Sequence, residues 1–274
     1  MENNNNNSGM RLVDLFMLGF GSMIGVGWTV SLNNWFQTSG GVIGTILAFI
    51  IGTLMVIPIG LCFAELTGAL RVSGGTMAFG LRSKGSKLSF LGGWLNALSY
   101  SVLLPWEMIY IGHILGILFP ILVSGDPIYS ILGYDVYLPQ LVCGILITLL
   151  FAFFNFRGAD ISGKLQTFLT SAILIIALIL VIFGFLNFNL NNLQPIYYSA
   201  INSDHNSFIG GLISMLVIVP FFMAGFDTIP QAVEDADDSI DSHQISKVIV
   251  FTIAAAGLSV SYTHLRAHET PEHL

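Results

Sequence analysis

Two segments of this sequence could bind a small charged molecule through exposed backbone, and both lie in apolar surroundings. The first is Gly21-Ser22-Met23-Ile24-Gly25-Val26-Gly27, where glycine weakens a helix and lets other groups approach the main chain. A helix interrupted here would expose free N–H groups at the start of its second half, and such groups suit a carboxylate. Gly21 and Gly25 also form a G-x-x-x-G pair, so a small-residue packing face is the alternative interpretation.

The second segment runs from Pro220 to Pro230 and contains Gly225 and Asp227. Each proline removes a backbone donor, and the carbonyl oxygens released in this way can accept an ammonium group or a cation. An ionisable residue within an apolar helix is costly, which makes Asp227 a candidate for ion or proton coupling or for gating. A kinked helix in which Asp227 caps the second half is the compatible structural alternative.

A third candidate is Glu107, which lies midway along another apolar segment. A carboxylate in such surroundings suits a proton carrier or a contact to an amine. A structural carboxylate hydrogen-bonded to a neighbouring helix is the alternative. No spacing of Cys and His residues indicates a metal site, and we expect no cofactor.

Helices that span a membrane must position these groups, because the composition excludes a soluble protein. Hydrophobic residues make up 54% of the chain and charged residues 9%, against about 25% charged residues in soluble domains. The net charge of −7 leaves no basic surface for a nucleic acid. The length of 274 residues permits a bundle of about seven helices in the lipid bilayer.

Apolar runs with few charges predict six complete spans and the start of a seventh. The spans are predicted at 12–33, 42–66, 89–119, 138–156, 165–187 and 209–233, with the seventh starting near Lys247. The polar stretch from Asn33 to Gly41 is predicted to be the turn between the first two spans.

The cations predict the orientation of these spans. Eight of the nine Lys and Arg residues lie before the first span or after the second, fourth and sixth: Arg11, Arg71, Arg82, Lys84, Lys87, Arg157, Lys164 and Lys247. The loops after the first, third and fifth spans contain none. The positive-inside rule therefore predicts a multi-pass protein of the cytoplasmic membrane with a cytoplasmic N-terminus.

Four motifs, in this order along the chain, resemble those of the amino acid–polyamine–organocation (APC) permeases. They are the segment from Gly21 to Gly27, Ala64-Glu65-Leu66 with Ser73-Gly74-Gly75, Asn155-Phe156-Arg157-Gly158, and Gly225-Phe226-Asp227 with Glu234-Asp235. The resemblance implies the first half of an all-α fold of five-plus-five inverted repeats with broken first and sixth helices. It also implies secondary active transport of amino acids or related amines by ion-coupled alternating access.

The resemblance assigns binding roles to both interrupted segments. In that family the substrate carboxylate meets the backbone of the first-helix break, here Ser22, Met23, Ile24, Gly25, Val26 and Gly27. The amino group meets carbonyl oxygens of the sixth-helix break, here Phe222, Met223 and Ala224, which adjoin Gly225. The bulky side chain of Phe226 is a candidate gate.

Several alternatives stay open at this point. The fifth span lacks the lysine that some proton-coupled members carry, so the coupling ion is either H⁺ or Na⁺. The identity of the amino acid or amine and the oligomeric state are not indicated. An amino-acid-sensing receptor on the same fold, such as a germinant receptor subunit, is the alternative function. An enzyme is not expected, because the spans lack a constellation for bond chemistry.

Three regions are predicted along the chain. Residues 1–10 form a disordered Asn-rich tail, residues 11–259 an incomplete permease domain, and residues 260–274 a non-native tail. The last region resembles translated adapter sequence at the broken end of a reading frame, and a genuine short amphipathic terminus is its alternative. Because the two breaks require a second five-helix repeat, we expect a fragment that does not transport by itself.

Overall fold

The computed structural model describes residues 9–131, 134–186 and 207–263, and this part of the chain is mainly helical. Its α-helices are α1 Leu12–Met23, α2 Val26–Ser39, α3 Val42–Leu70, α4 Thr76–Lys84, α5 Ser86–Leu118, α6 Leu138–Phe156, α7 Ala159–Leu186, α8 Phe208–Phe222, α9 Thr228–Gln231 and α10 Ser242–Thr263. Strands β1 Tyr129–Ile131 and β2 Tyr134–Val136 pair antiparallel, with Tyr129 opposite Val136. Most of both predicted tails lies outside the described residues.

The predicted all-α membrane architecture is confirmed. Within the described residues, α3, α5, α6, α7 and α10 are long and apolar enough to cross a membrane, and α1 and α8 are shorter apolar helices. The first predicted span consists of α1 and α2 with a break between them, and the sixth consists of α8 and α9.

Several predicted boundaries were wrong. The predicted turn after Asn33 is helical, because α2 continues to Ser39 and only Gly40 and Gly41 form the turn, with φ of 76° and 135°. The seventh span begins at Ser242 rather than near Lys247. Helix α4 and the hairpin were not predicted, because both are too short and too polar to be recognised as membrane spans.

The buried core lies where α1, α3, α8 and α10 pack together. Leu15, Phe49, Met215 and Ile249, one from each helix, are completely buried. Helices α5, α6 and α7 expose apolar side chains along their length, and Phe168 on α7 is 70% exposed. Such faces suit contact with lipid.

Backbone hydrogen bonds tie three segments together at the end of the bundle that holds the N-terminus. The N–H of Met10 donates to the carbonyl of Asp235 (2.6 Å), and the N–H of Asp237 donates to the carbonyl of Met10 (2.9 Å). The guanidinium of Arg71, which ends α3, donates to the carbonyl of Asp237 (3.3 Å). We call these four residues the N-terminal clamp. It joins the ends of the first, second and sixth spans.

Candidate functional site

The first interrupted helix is broken at Ile24 and Gly25. Helix α1 ends with the Ile24 N–H donating to the carbonyl of Phe20 (2.9 Å), and α2 starts after an extended Gly25 at φ −102° and ψ −176°. The N–H of Gly27, in the first turn of α2, donates to Oε2 of Glu107 (3.3 Å). The start of α2 therefore already contacts a carboxylate, and this carboxylate belongs to the protein.

The second interrupted helix is unwound between Phe222 and Thr228. Gly225 has a φ of +125°, which favours glycine, and its carbonyl accepts from the Thr228 hydroxyl (2.7 Å). The carbonyl oxygens of Phe222, Met223 and Ala224 accept no hydrogen bond from any residue that the structure describes. Three backbone acceptors thus lie at the residues where the family resemblance implies an amino group.

The two breaks are in direct backbone contact. A Cβ atom added to Gly225 would lie 2.7 Å from the carbonyl carbon of Ser22 and 2.8 Å from the nitrogen of Met23. Only glycine permits this approach. The side chains of Ser22 and Ala224 are both exposed. Within the described structure, a small molecule can therefore approach the junction of the two breaks.

The G-x-x-x-G pair packs against two different helices. A Cβ on Gly21 would overlap the Thr170 hydroxyl and the Gln166 amide of α7. A Cβ on Gly25 would lie 2.7 Å from Oε1 of Glu107 on α5. The two interpretations of this segment therefore both hold, because packing at the two glycines accompanies unwinding between them.

Asp227 occupies the N-cap position of α9, as the structural alternative predicted, but its side chain does not satisfy the helix end. Its side chain makes no capping hydrogen bond. Instead, Oδ1 accepts from the Tyr100 hydroxyl (2.6 Å) and Oδ2 accepts from the Gln231 amide (3.1 Å). Both carboxylate oxygens therefore have a hydrogen-bond partner, one from α5 and one from α9.

Helix α5 contacts both breaks from one face. Tyr100 and Glu107 are seven residues apart, which is two helical turns or about 10 Å. Tyr100 reaches Asp227 in the sixth span, and Glu107 reaches Gly27 in the first. The sequence did not indicate Tyr100, because its partner is 127 residues away.

Aromatic side chains surround the sixth-helix break. Phe226, the candidate gate, is 7% exposed and meets Phe63 edge-on with ring centroids 5.5 Å apart. Phe222 meets Trp35 in the same manner at 4.5 Å. These contacts fix the rings beside the unwound backbone.

The polar residues of α7 contact α1 rather than the breaks. The Thr170 hydroxyl donates to the carbonyl of Met17 (3.2 Å), and the Thr167 hydroxyl donates to Oδ1 of Asp14 (3.2 Å). Beside them lies a cavity of about 450 Å³, on the side of the N-terminal clamp. None of its lining residues belongs to either break: Met10, Leu18, Phe151, Phe154, Asn155, Ser162, Gly163, Leu165, Gln166, Leu169, Ala232 and Asp235.

Metal-binding groups do not cluster in the part of the chain that the structure describes. No three His, Cys, Asp or Glu side chains within those residues are placed to hold a metal ion. The polar groups described above at the breaks are backbone groups, the carboxylates of Glu107 and Asp227, and the side chains that contact Asp227 and Gly225.

Comparison with known proteins places this geometry in context. A family model described as "Amino acid permease" matches residues 10–261. The chain is 26% identical to Amino-acid permease RocC of Bacillus subtilis (strain 168) over 83% of this chain and 47% of that protein. It is 24% identical to Branched-chain amino acid permease BcaP over 88% and 50%, and 26% identical to the Methylthioribose transporter over 91% and 52%, both from the same organism. The chain spans about half the length of these relatives.

Proposed function

The chain belongs to the amino acid permease family, and on that premise we propose that the whole protein is a secondary active transporter of amino acids or related amines. The observation that carries this proposal is the junction of the two breaks at Ser22 and Gly225. Discontinuous helices that meet near the membrane midplane form the binding sites of such transporters.

The unwound sixth span supplies the amine-binding part of the proposed site. The carbonyl oxygens of Phe222, Met223 and Ala224, which accept no hydrogen bond from a described residue, carry partial negative charge and suit an ammonium group. The exposed side chain of Ala224 leaves room for a molecule to approach them. Phe226 remains the proposed gate beside this site.

The unwound first span supplies the donors of the proposed site. The residues from Ser22 to Gly27 end one helix and begin another, so the N–H groups at the start of α2 point along a helix dipole. Glu107 accepts from one of these groups. A carboxylate at this position is suited to couple the binding of a proton or a cation to the binding of substrate.

Asp227 has a different proposed role from Glu107. Its two oxygens are already paired with the Tyr100 hydroxyl and the Gln231 amide. We therefore assign it to gating, as an anchor that holds the sixth-span break against α5, and assign coupling to Glu107. The flux experiment described below distinguishes H⁺ from Na⁺ as the coupled ion.

Alternating access requires the ends of the broken helices to separate on one side of the membrane. The N-terminal clamp joins the first and sixth spans at the end where the eight cations gather. The positive-inside rule supports a cytoplasmic position for this end in the cytoplasmic membrane. We propose that the clamp closes the cytoplasmic side and must open during transport.

Flux of labelled substrate tests the proposed function. A version of the protein with the full length of its relatives, called the family-length protein, is reconstituted in proteoliposomes. Uptake of a panel of amino acids and amines is then measured with an H⁺ gradient or an Na⁺ gradient imposed separately. We expect saturable uptake that one gradient accelerates. Saturable binding without flux would instead identify an amino-acid-sensing receptor, and the absence of both would refute the proposal.

A further inference from the structure

One buried polar atom close to the breaks has no partner. The indole nitrogen Nε1 of Trp28 is buried and makes no hydrogen bond to any residue that the structure describes. Trp28 belongs to the first turn of α2, directly after the first-helix break. An indole N–H can only donate, and burying it unpaired costs free energy that folded proteins normally avoid. Its acceptor is therefore expected among nearby groups that are themselves unpaired.

The register of α2 turns Trp28 toward the sixth span. Trp28 and Trp35 are seven residues apart, or two helical turns, so they share one face of α2. On this face the ring of Trp35 meets the ring of Phe222, with centroids 4.5 Å apart. Trp28 lies about 10 Å closer to the break than Trp35 does. It packs against the buried core that includes Met223, so it lies on the side of α2 where the sixth span unwinds.

The unwound part of the sixth span offers suitable acceptors. The carbonyl oxygens of Phe222, Met223 and Ala224 accept no hydrogen bond from a described residue. The contact between Ser22 and Gly225 holds both breaks at one level of the bundle. An unpaired donor of the first span and three unpaired acceptors of the sixth therefore lie at the same junction. The unwound segment can change its conformation without breaking a regular helix.

A closed site treats the loaded and the empty transporter differently. Alternating access passes through a conformation in which the site is shut off from water. A bound ammonium group then donates to the carbonyl oxygens of the sixth-span break. Without substrate the same oxygens would be buried unpaired, and unsatisfied buried acceptors oppose that conformation. An internal donor that pairs with them would let the empty transporter pass.

We propose that Trp28 is a positioning residue whose indole N–H donates to the carbonyl oxygens of the sixth-span break while the empty transporter returns. Substrate binding releases this donor, because the ammonium group takes over the same acceptors. The inference rests on the proposed function and names the residue that satisfies the site between one substrate molecule and the next.

Net uptake and exchange separate the two halves of the transport cycle. The family-length protein is reconstituted in proteoliposomes, and uptake of labelled leucine, arginine or ethanolamine is measured into vesicles without and with the same unlabelled compound inside. Net uptake requires the empty transporter to return, whereas exchange keeps it loaded in both directions. The ratio of net uptake to exchange therefore reports on the empty return.

Replacement of Trp28 by β-(3-benzothienyl)alanine removes the donor and keeps the bicyclic shape, because sulfur takes the place of the N–H group. We expect the ratio to fall by on the order of 10-fold, which corresponds to the loss of one hydrogen bond of ordinary strength. The same replacement at Trp94, which is 55% exposed on α5, is the matched control and should leave the ratio unchanged. An unchanged ratio at Trp28, or an equal loss of net uptake and exchange, would overturn the proposal.

Two further variants keep the proposal testable if that replacement prevents folding. Trp28→His retains a ring N–H donor, and Trp28→Phe lacks one. We expect a higher ratio of net uptake to exchange for the histidine variant than for the phenylalanine variant. Equal ratios would overturn the proposal. Failure of all three variants to fold would assign a structural role to the ring and overturn it as well.

The outcomes also separate this inference from the proposed function. Net uptake by the wild-type protein with an unchanged ratio in the variants would refute the role of Trp28 and retain the transporter. Exchange without net uptake by the wild-type protein would do the same, since no empty return would then occur. Absence of both net uptake and exchange would refute the proposed function and this inference with it.

Discussion

Gly225 of the sixth span lies directly on the carbonyl group of Ser22 in the first. The gap is so small that a Cβ on Gly225 would lie 2.7 Å from the Ser22 carbonyl carbon. Two helices therefore break at the same point, and each break leaves room for the other. This contact brings the backbone of the two interrupted segments together.

Replacing Gly225 with alanine should disrupt this junction. The φ of +125° strains any L-residue, which costs about 1–3 kcal/mol, and overlap with the Ser22 backbone adds to this cost. We expect the variant to lose thermal stability in detergent and to lose uptake in family-length form. Thermal unfolding monitored by tryptophan fluorescence measures the first effect.

Gly158 provides a matched control for this substitution. Its φ is +115°, and a Cβ there would have no neighbour within 4 Å, so Gly158→Ala introduces strain without overlap. The difference between the two variants therefore isolates the contact with Ser22. Equal destabilisation by both substitutions would show that the junction is not tightly packed.

Tyr100→Phe should weaken the link between α5 and the sixth-span break. The change removes one of the two donors to Asp227, and an intramolecular hydrogen bond contributes about 0.5–1.5 kcal/mol. We expect a loss of stability of that size, measured by thermal unfolding. Tyr129→Phe is the control, because Tyr129 lies in the exposed hairpin.

A double-mutant cycle tests whether the loss comes from this contact. Asp227→Ala removes the acceptor of the Tyr100 hydroxyl, so the effects of the two substitutions should be non-additive. Additive effects of Tyr100→Phe and Asp227→Ala would contradict a direct interaction.

The helical architecture was predictable because its signals are local. The span at 138–156 was predicted with the bounds that α6 has, since charges and prolines limit the apolar run on both sides. The breaks were predictable for the same reason, because glycines and prolines act on their own backbone. The family resemblance and the expectation that the protein is not an enzyme are confirmed by its membership in a permease family.

The pairing of these elements was not predictable from local signals. Glu107 was a candidate, but its contact with Gly27 spans 80 residues, and the sequence indicated a substrate carboxylate at that position. The N-terminal clamp consists largely of backbone hydrogen bonds. Because any residue type can form such bonds, the sequence does not indicate them. The assignments of the binding residues and of the three regions along the chain stay predictions.

Substitutions at Arg71 of the N-terminal clamp should change the stability of the protein. This residue ends α3 in the left-handed region with a φ of 42°, which costs a non-glycine residue about 1–2 kcal/mol. Arg71→Gly relieves this strain and removes the hydrogen bond to Asp237, whereas Arg71→Ala removes the bond and keeps the strain. The glycine variant should therefore unfold at the higher temperature of the two. The opposite order would show that the backbone at this position is unstrained.

Substrate protection of single cysteines tests most directly whether the junction of the two breaks is the binding site. In a family-length protein whose Cys62 and Cys143 are replaced by serine, one cysteine is introduced at Ser22, Ala224 or Ser162, and its labelling rate with a permeant thiol reagent is measured. The first two positions are exposed at the junction, and the third lines the separate cavity. We predict that saturating substrate slows labelling at Ser22→Cys and Ala224→Cys and leaves Ser162→Cys unchanged. Protection at Ser162→Cys with unchanged labelling at both breaks would contradict the account.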